Sequence, residues 1–157
     1  TRALPSYIQH ATIEESRRHL EKAVQEADPA SPLGFWAVVE KQTGAVIGGA
    51  VLIHAPINGG NPVEIGYYFA RTAWGNGYAT ELAHALLDHG FRNMDETEIY
   101  GVTTLGNHAS QRVLEKVGME RRGVGDYHGF PVEVFAIPAP GSATREQRHG
   151  MTRNDTE

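Results

Sequence analysis

Residues 64–81 read EIGYYFARTAWGNGYATE, in which a predicted strand leads through a glycine-rich loop into a helix. The opening residues are dense in Ile, Tyr and Phe, which favour strands. Gly75 and Gly77 lack the Cβ atoms that would keep an anion away from the backbone amides. The unpaired amides of a helix's first turn, with the positive end of the helix dipole, attract phosphate groups. These residues therefore predict a loop that binds a phosphate or a pyrophosphate.

Two common nucleotide-binding motifs do not fit this loop. A P-loop requires Gly-Lys-Ser/Thr, whereas Gly77 is followed by Tyr78 and Ala79. The dinucleotide fingerprint requires a third Gly or Ala where Thr80 stands, and Asp95 follows the helix rather than a strand. The sequence therefore excludes both motifs as the explanation of the loop.

The flanking sequence alternates between strand and helix patterns. A helix over residues 12–27 begins with a capping box, in which Thr12 and Glu15 satisfy each other's backbone amides. Two further helices are predicted, one directly after the glycine-rich loop and one over 108–117. Strands are predicted at 35–39, 45–53, 63–70, 99–103, 119–124 and 132–137. Hairpins followed by a strand–helix–strand unit predict an α+β, or mixed α/β, fold with helices packed on the sheet.

Composition limits the classes of protein that this chain can be. The 157 residues suit one domain, predicted over 1–137, and the hydrophobic-poor segment 138–157 is predicted to be a flexible polar tail. Without cysteine, the chain has no thiol nucleophile and no Cys-ligated zinc. The eight histidines show no metal-binding spacing, since His84 and His89 are five residues apart. We therefore expect no metal site.

Charge and hydropathy bear on partners and location. The net charge of −5 disfavours a nucleic-acid binder that works by bulk electrostatics. No apolar run approaches the roughly 20 residues that a membrane-spanning helix needs, and no secretory signal opens the chain. We therefore expect a soluble, cytoplasmic protein that binds neither nucleic acid nor membrane.

A family resemblance explains the glycine-rich loop. Residues 74–79 resemble the pyrophosphate loop of the GNAT superfamily of acetyl-CoA-dependent N-acetyltransferases, Gln/Arg-x-x-Gly-x-Gly/Ala, with Trp74 at the Gln/Arg position. The form Trp-Gly-x-Gly-Tyr-Ala-Thr-Glu is similar to the branch that contains the ribosomal-protein N-terminal acetyltransferases RimJ and RimL. Residues 107–119 resemble that branch's Asn-x-x-Ser-x-x-Val-Leu-Glu-Lys-x-Gly-Phe helix. The resemblance covers residues 35–137. Family members also open with a strand and a helix not found before Thr12, which leaves open that this unit is missing.

The resemblance implies a fold and a co-substrate. The implied GNAT fold has a mixed, mostly antiparallel sheet with helices on both faces, whose central strands near Phe69 and 99–103 splay apart. Acetyl-CoA would lie in that cleft, with its acetyl carbonyl near a free backbone amide at Phe69 or Ala70 acting as an oxyanion donor. The residues implied to bind acetyl-CoA are Tyr68, Phe69, Ala70, Trp74, Gly75, Asn76, Gly77, Tyr78, Ala79, Thr80, Asn107 and Ser110.

The resemblance also implies a general base. An amine must attack as the free base, and a positioned carboxylate removes its proton. Glu64 opens the strand before the loop, near where some superfamily members carry a catalytic glutamate. Strand alternation puts Glu64, Gly66 and Tyr68 on one face, so that Glu64 and Tyr68 could line one pocket. The alternative is that Glu64 is a solvated strand residue that pairs across the sheet.

The group that assists the departing CoA thiolate is less evident. Many superfamily members use a tyrosine at the position of Leu114, which cannot donate a proton. In the RimL-like branch a serine takes this role, and Ser110 stands at its position. The alternative for Ser110 is a helix-start serine that satisfies a backbone group. Tyr127, in the last hairpin, is a reserve acid.

The sequence thus predicts an N-acetyltransferase that transfers acetyl from acetyl-CoA to a primary amine by direct attack in a ternary complex. The amine could be a protein N-terminus or that of a small molecule. The alternative is a non-catalytic acyl-CoA-binding sensor module. A homodimer is left open.

Overall fold

The computed structural model describes residues 13–142 of the chain. Its elements, in chain order, are α1 (Ile13–Gln25), β1 (Gly34–Val39), β2 (Val46–His54), β3 (Val63–Phe69), α2 (Tyr78–Asn93), β4 (Glu98–Thr104), α3 (His108–Lys116), β5 (Glu120–Tyr127) and β6 (Phe130–Pro138). Thr12 of the predicted capping box and most of the predicted tail lie outside the described residues.

The six strands form one sheet in the order β1-β2-β3-β4-β6-β5. Every neighbouring pair is antiparallel except β3 and β4. The one parallel pair arises because α2 connects β3 to β4 as a crossover helix, as parallel strands require. The predicted mixed, mostly antiparallel sheet is therefore confirmed.

The two central strands pair at one point only. Glu64 of β3 pairs with Tyr100 of β4, and no ladder continues from there toward the carboxyl ends of the strands. By contrast, β3 pairs with β2 along its whole length, from Val63 to Phe69. The sheet is thus open between β3 and β4, and we call this opening the β3–β4 gap.

Strand alternation divides the core between the two faces of the sheet. On one face, α2 and α3 pack with the larger cluster, which includes Leu52, Ile65, Ile99 and Phe135 of the strands. The other face carries a smaller cluster of Ala55, Ile57, Tyr127, Val132 and Val134. We call these the helix face and the hairpin face.

Helix α1 contributes little to either cluster among the residues described. Its acidic first turn and basic last turn complement the helix dipole. Its described side chains are largely solvent-exposed, and Val24 is 75% exposed. The two helices that pack in the core, α2 and α3, lie on the same face of the sheet.

No helix in the described part of the chain is both long and apolar enough to cross a bilayer.

Candidate active site

The glycine-rich loop leads directly from β3 into α2. Gly75 and Gly77 both have a φ of +78°, a backbone conformation that L-residues with a side chain adopt at a cost. A Cβ added at either glycine would find no atom within 4 Å, so the surface beside both residues is open. Glycine is therefore needed here for the turn and leaves room for a ligand beside the backbone.

Helix α2 begins directly after these two glycines. Gly77 is the N-cap residue, and no side chain caps the helix. The backbone amides of residues 78–80 have no partner within the helix, because an α-helix cannot pair its first amides. Backbone amides at this position could supply the donors of the predicted anion site, which stays a prediction.

Side chains of the loop brace it from within. The indole Nε1 of Trp74 donates to the carbonyl oxygen of Phe69 at 3.0 Å. Asn76 Nδ2 donates to the carbonyl oxygens of Ala73 and Trp74 at 3.1 and 3.2 Å. Both side chains hold the loop in shape, a role that the sequence did not reveal for Asn76.

Phe69 and Tyr78 connect the loop to neighbouring elements. Their rings stack with centroids 6.2 Å apart. The Tyr78 hydroxyl donates to Glu40 Oε1 at 2.7 Å, which ties the start of α2 to the turn between β1 and β2. Since Glu40 is 38 residues away in the chain, no local pattern pointed to this contact.

Glu64 lies where the pairing of β3 and β4 ends, and its side chain is not solvated. The residue is 2% exposed. The Tyr127 hydroxyl donates to Glu64 Oε2 at 3.0 Å, and the backbone amide of Val102 is a second donor. Burial raises the pKa of Glu64 to about 7, although both hydrogen bonds lower it. This burial contradicts the alternative of a solvated strand residue.

Such a carboxyl group is suited to accept a proton at neutral pH, because a base works best when its pKa lies near the working pH. Its neighbour on the same face of β3, Tyr68, is 56% exposed. That face therefore runs from a buried acid at Glu64 to an exposed ring at Tyr68.

The hydrogen bonds of β3 distinguish between the two backbone amides, those of Phe69 and Ala70, that were expected as oxyanion donors. The Ala70 amide donates to the Ile47 carbonyl oxygen at 2.8 Å, so it is not free. Successive amides of a strand point to opposite edges. Since the Ala70 amide points toward β2, the Phe69 amide points toward β4 and thus into the β3–β4 gap. The expectation that the Ala70 amide is free to act as the oxyanion donor is therefore wrong, because this amide completes the β2–β3 pairing.

Asn107 and Ser110 open α3. Asn107 is the N-cap, and its Oδ1 accepts from the Ser110 amide at 3.2 Å. The Asn107 side chain thus has a structural partner already. Ser110 is half-buried, and its hydroxyl lies beside that of Tyr67.

Leu114 and Ser110 lie on the helix face, whereas Tyr127 lies on the hairpin face. Leu114 is buried in the helix-face core. Tyr127 is buried on the hairpin face and donates to Glu64. Tyr127 was predicted as a reserve acid, and the structure makes it the partner of the candidate base. The two residues are 63 positions apart, so no spacing signal could pair them.

No group of three or more His, Cys, Asp or Glu residues within 13–142 could hold a metal ion.

Residues 1–120 match the acetyltransferase (GNAT) domain. The chain belongs to the GNAT acetyltransferase family. The match runs from before α1 to the start of β5, so it includes Glu64, the glycine-rich loop and α3.

Relatives of this GNAT domain cover part of its length. It is 41% identical over 87 residues to the uncharacterized protein YkkB of Bacillus subtilis, covering 55% of this chain and 51% of YkkB. It is 32% identical over 89 residues to the uncharacterized N-acetyltransferase YoaA of the same organism, covering 57% and 50%. The chain thus spans about half the length of the curated relatives it matches.

The fold is also found in solved GNAT structures. A GNAT-family acetyltransferase from Bacillus anthracis superposes with a TM-score of 0.63 at 25% identity, over 82% of this chain and 75% of that one. The predicted GNAT fold is thereby confirmed.

Proposed function

We propose that this GNAT domain is an N-acetyltransferase that transfers the acetyl group of acetyl-CoA to a primary amine by direct attack in a ternary complex. The observation that carries the proposal is Glu64, a buried carboxyl group with a pKa near 7 at the point where β3 and β4 separate. A group of this kind can deprotonate an amine next to a thioester that lies in the gap.

The residues present fit acetyl-CoA. The open, positively polarised start of α2 suits the pyrophosphate, with Gly75 and Gly77 leaving room beside the backbone. The unpaired edges of β3 and β4 suit the amide-containing pantetheine arm, which can pair as an added strand does. The Phe69 amide would donate to the acetyl oxygen as negative charge develops there, which is supported by the pairing of the next amide, that of Ala70, with β2.

The reaction balances with these groups. Glu64 takes a proton from the ammonium form of the acceptor, and the free amine attacks the acetyl carbon. A C–N bond forms and the carbonyl oxygen becomes an oxyanion, which the Phe69 amide stabilises. The C–S bond then breaks and its electron pair leaves with the CoA sulfur, while the second amine proton passes to solvent. An isolated lysine-type amine is almost wholly protonated at neutral pH, which is why the base matters.

We propose that the domain belongs to the RimJ/RimL-like branch, because its sequence resembles both motifs of that branch. We further propose that it acts in the cytoplasm and that its acceptor is a protein N-terminus or a small amine. An acidic protein of net charge −5 would also attract a cationic acceptor by electrostatic steering.

The test is thiol release from acetyl-CoA with a panel of amines, comparing the native chain with Glu64→Gln. We expect kcat to fall by about 10²- to 10⁴-fold, since that is the usual contribution of general base catalysis, while the Kd for CoA stays the same. The control is Glu98→Gln, whose carboxylate pairs with Arg122 at the start of β4, outside the β3–β4 gap, so that turnover should stay near the native value. Unchanged turnover in Glu64→Gln would remove this base, and CoA binding without turnover for every amine would instead support the sensor module.

A further inference from the structure

Two buried side-chain oxygens in the described part of the chain have no hydrogen-bond partner, namely Tyr67 Oη and Thr103 Oγ1. Burying a hydroxyl without a partner costs free energy, and native proteins rarely leave such groups unpaired. Two of them in one small domain therefore call for an explanation.

The sheet register places these two residues opposite each other. Tyr67 lies three residues beyond Glu64 on β3, and Thr103 lies three residues beyond Tyr100 on β4. Because Glu64 and Tyr100 pair in parallel, Tyr67 and Thr103 stand at the same height on the two sides of the β3–β4 gap. Alternation directs both side chains to the helix face, the face of Ile65 and Ile99.

A third hydroxyl lies on the same face. Ser110, in the first turn of α3, lies beside Tyr67 without forming a hydrogen bond of ordinary geometry with it. Burial raises the pKa of Tyr67, and the neighbouring Ser110 lowers it in part. The phenol therefore stays protonated at neutral pH and remains a donor. We call Tyr67, Thr103 and Ser110 the hydroxyl cradle.

The charged group that the sheet register places opposite Thr103 is already paired. Glu133 stands opposite Thr103 across the β4–β6 pairing. Its carboxylate forms a two-point ion pair with Arg121 of β5. The three hydroxyls of the cradle are themselves neutral donors.

We propose that Tyr67 and Thr103, together with Ser110, bind the sulfur of CoA and donate hydrogen bonds to it as the C–S bond breaks. This inference rests on the proposed acetyl transfer. It goes beyond Ser110 by assigning two catalytic residues, one on each strand bordering the gap. The base, Glu64, lies on the opposite face. Glu64 would therefore deprotonate the amine from one side of the sheet, while the hydroxyl cradle binds the sulfur from the other.

Neutral donors suit this step because they interact weakly with the uncharged thioester and strongly with the thiolate. Stabilisation that grows as charge develops raises kcat rather than ground-state binding. Full proton transfer is uphill, because a phenol is a weaker acid than a thiol. The cradle therefore stabilises the thiolate by hydrogen bonds, and the sulfur takes its proton from solvent after release.

The experiment compares the native chain with Tyr67→Phe, Thr103→Val and the double variant. The chain has no cysteine, so a thiol-reactive disulfide added to the CoA complex reports on the CoA thiol alone. The pH dependence of its reaction rate gives the ionisation constant of the bound thiol. We expect this constant to be about tenfold larger in the native protein than in Tyr67→Phe. In that variant kcat should fall about 10- to 100-fold, as for a lost hydrogen bond to a charged group, with Kd for CoA nearly unchanged.

Thermal stability separates this function from a structural role. Removing a hydroxyl that has no partner in the free protein should leave Tm unchanged or raise it, whereas removing a structural one lowers it. Tyr100→Phe is the matched control, because its hydroxyl bonds to Glu98 at the paired end of β4. That variant should keep native turnover and bound-thiol ionisation.

The outcomes distinguish this inference from the function on which it rests. If the native chain and the variants all bind CoA and the bound thiol has the same ionisation constant in each, the proposed role of the cradle is overturned. The acetyltransferase proposal would still stand. Weaker CoA binding with unchanged thiol ionisation would also overturn it, since the hydroxyls would then hold the pantetheine arm. Failure of the native chain to bind CoA overturns both.

Discussion

The surroundings of Glu64, which include Tyr127, determine the pKa of its carboxyl group. Burial disfavours the charged carboxylate and raises the pKa of Glu64, whereas the hydroxyl of Tyr127 and the amide of Val102 favour the charged form. The balance brings the pKa to about 7. A glutamate on the surface would titrate well below that and would be a weaker base toward an amine.

Replacing Tyr127 with phenylalanine tests this balance. The variant loses one of the two donors to Glu64, so the pKa of Glu64 should rise further above its ordinary range. A base has to be deprotonated, so turnover rises with pH through that pKa. We expect the acidic limb of the pH–rate profile to lie about one unit higher in Tyr127→Phe, with near-native kcat at alkaline pH. A profile with the same midpoint as the native one would contradict the role of Tyr127.

At the scale of elements, the decisive unit is β3, the glycine-rich loop and α2. The two positive-φ glycines turn the chain directly before the first turn of α2, and the space beside both glycines is open. The loop is then held by Trp74, which bonds back to the end of β3. Backbone geometry, rather than charged side chains, thus creates the candidate pyrophosphate site.

Gly77→Ala tests this element, with Gly44→Ala as its matched control. Gly44 lies in the turn between β1 and β2 with a φ of +73°, and neither glycine has an atom within 4 Å of an added Cβ. Both substitutions should therefore lower the free energy of unfolding by about 1 kcal/mol through backbone strain alone. Only Gly77→Ala should weaken CoA binding, because its methyl group would stand beside the phosphate. Calorimetric titration measures the affinity of each variant for CoA. Equal affinity in the two variants would contradict the proposal that the glycine-rich loop binds the pyrophosphate.

At the scale of the whole molecule, two cores on opposite faces share one sheet, and the gap opens between its central strands. The helix face takes the bulk of the apolar side chains, while the hairpin face closes over Glu64 and Tyr127. This arrangement buries an acid at the centre of the domain, where it reduces the stability of the fold.

That cost makes a prediction about folding. An unfolded glutamate titrates near pH 4.3, so between there and about pH 7 the folded chain keeps a proton that the unfolded chain has lost. The Glu64 contribution to the free energy of unfolding therefore falls as pH rises through this window. We expect Glu64→Gln to be more stable than the native chain at pH 8, by about 3 kcal/mol, and similar to it at pH 4.

Urea denaturation of both proteins at the two pH values measures this difference. Glu98→Gln, which removes a partner of Arg122 at a partly exposed position, should gain no stability at pH 8. A Glu64→Gln variant without a stability gain at pH 8 would show that the acid is charged in the fold at little cost.

Local features of the site were predictable from the sequence. The strand, the loop and the start of α2 follow from residues within about 20 positions of one another, as does the N-cap at Asn107. The face that Glu64 shares with Tyr68 follows from strand alternation. These features depend on backbone conformation and side-chain period, which neighbouring residues determine.

Other features depended on the tertiary structure. Four such features are the burial of Glu64, its hydrogen bond with Tyr127, the pairing of the Ala70 amide with Ile47, and the position of Tyr67 level with Thr103 across the gap. Each of these pairings joins residues more than 20 positions apart. No local pattern encodes which distant strand will lie beside a given residue. The amino-acid sequence by itself thus determined a loop able to hold an anion. Only the packing of strands around the gap decided which carboxyl group loses its water and which hydroxyls remain unpaired, because desolvation and pairing depend on what distant segments bring into contact.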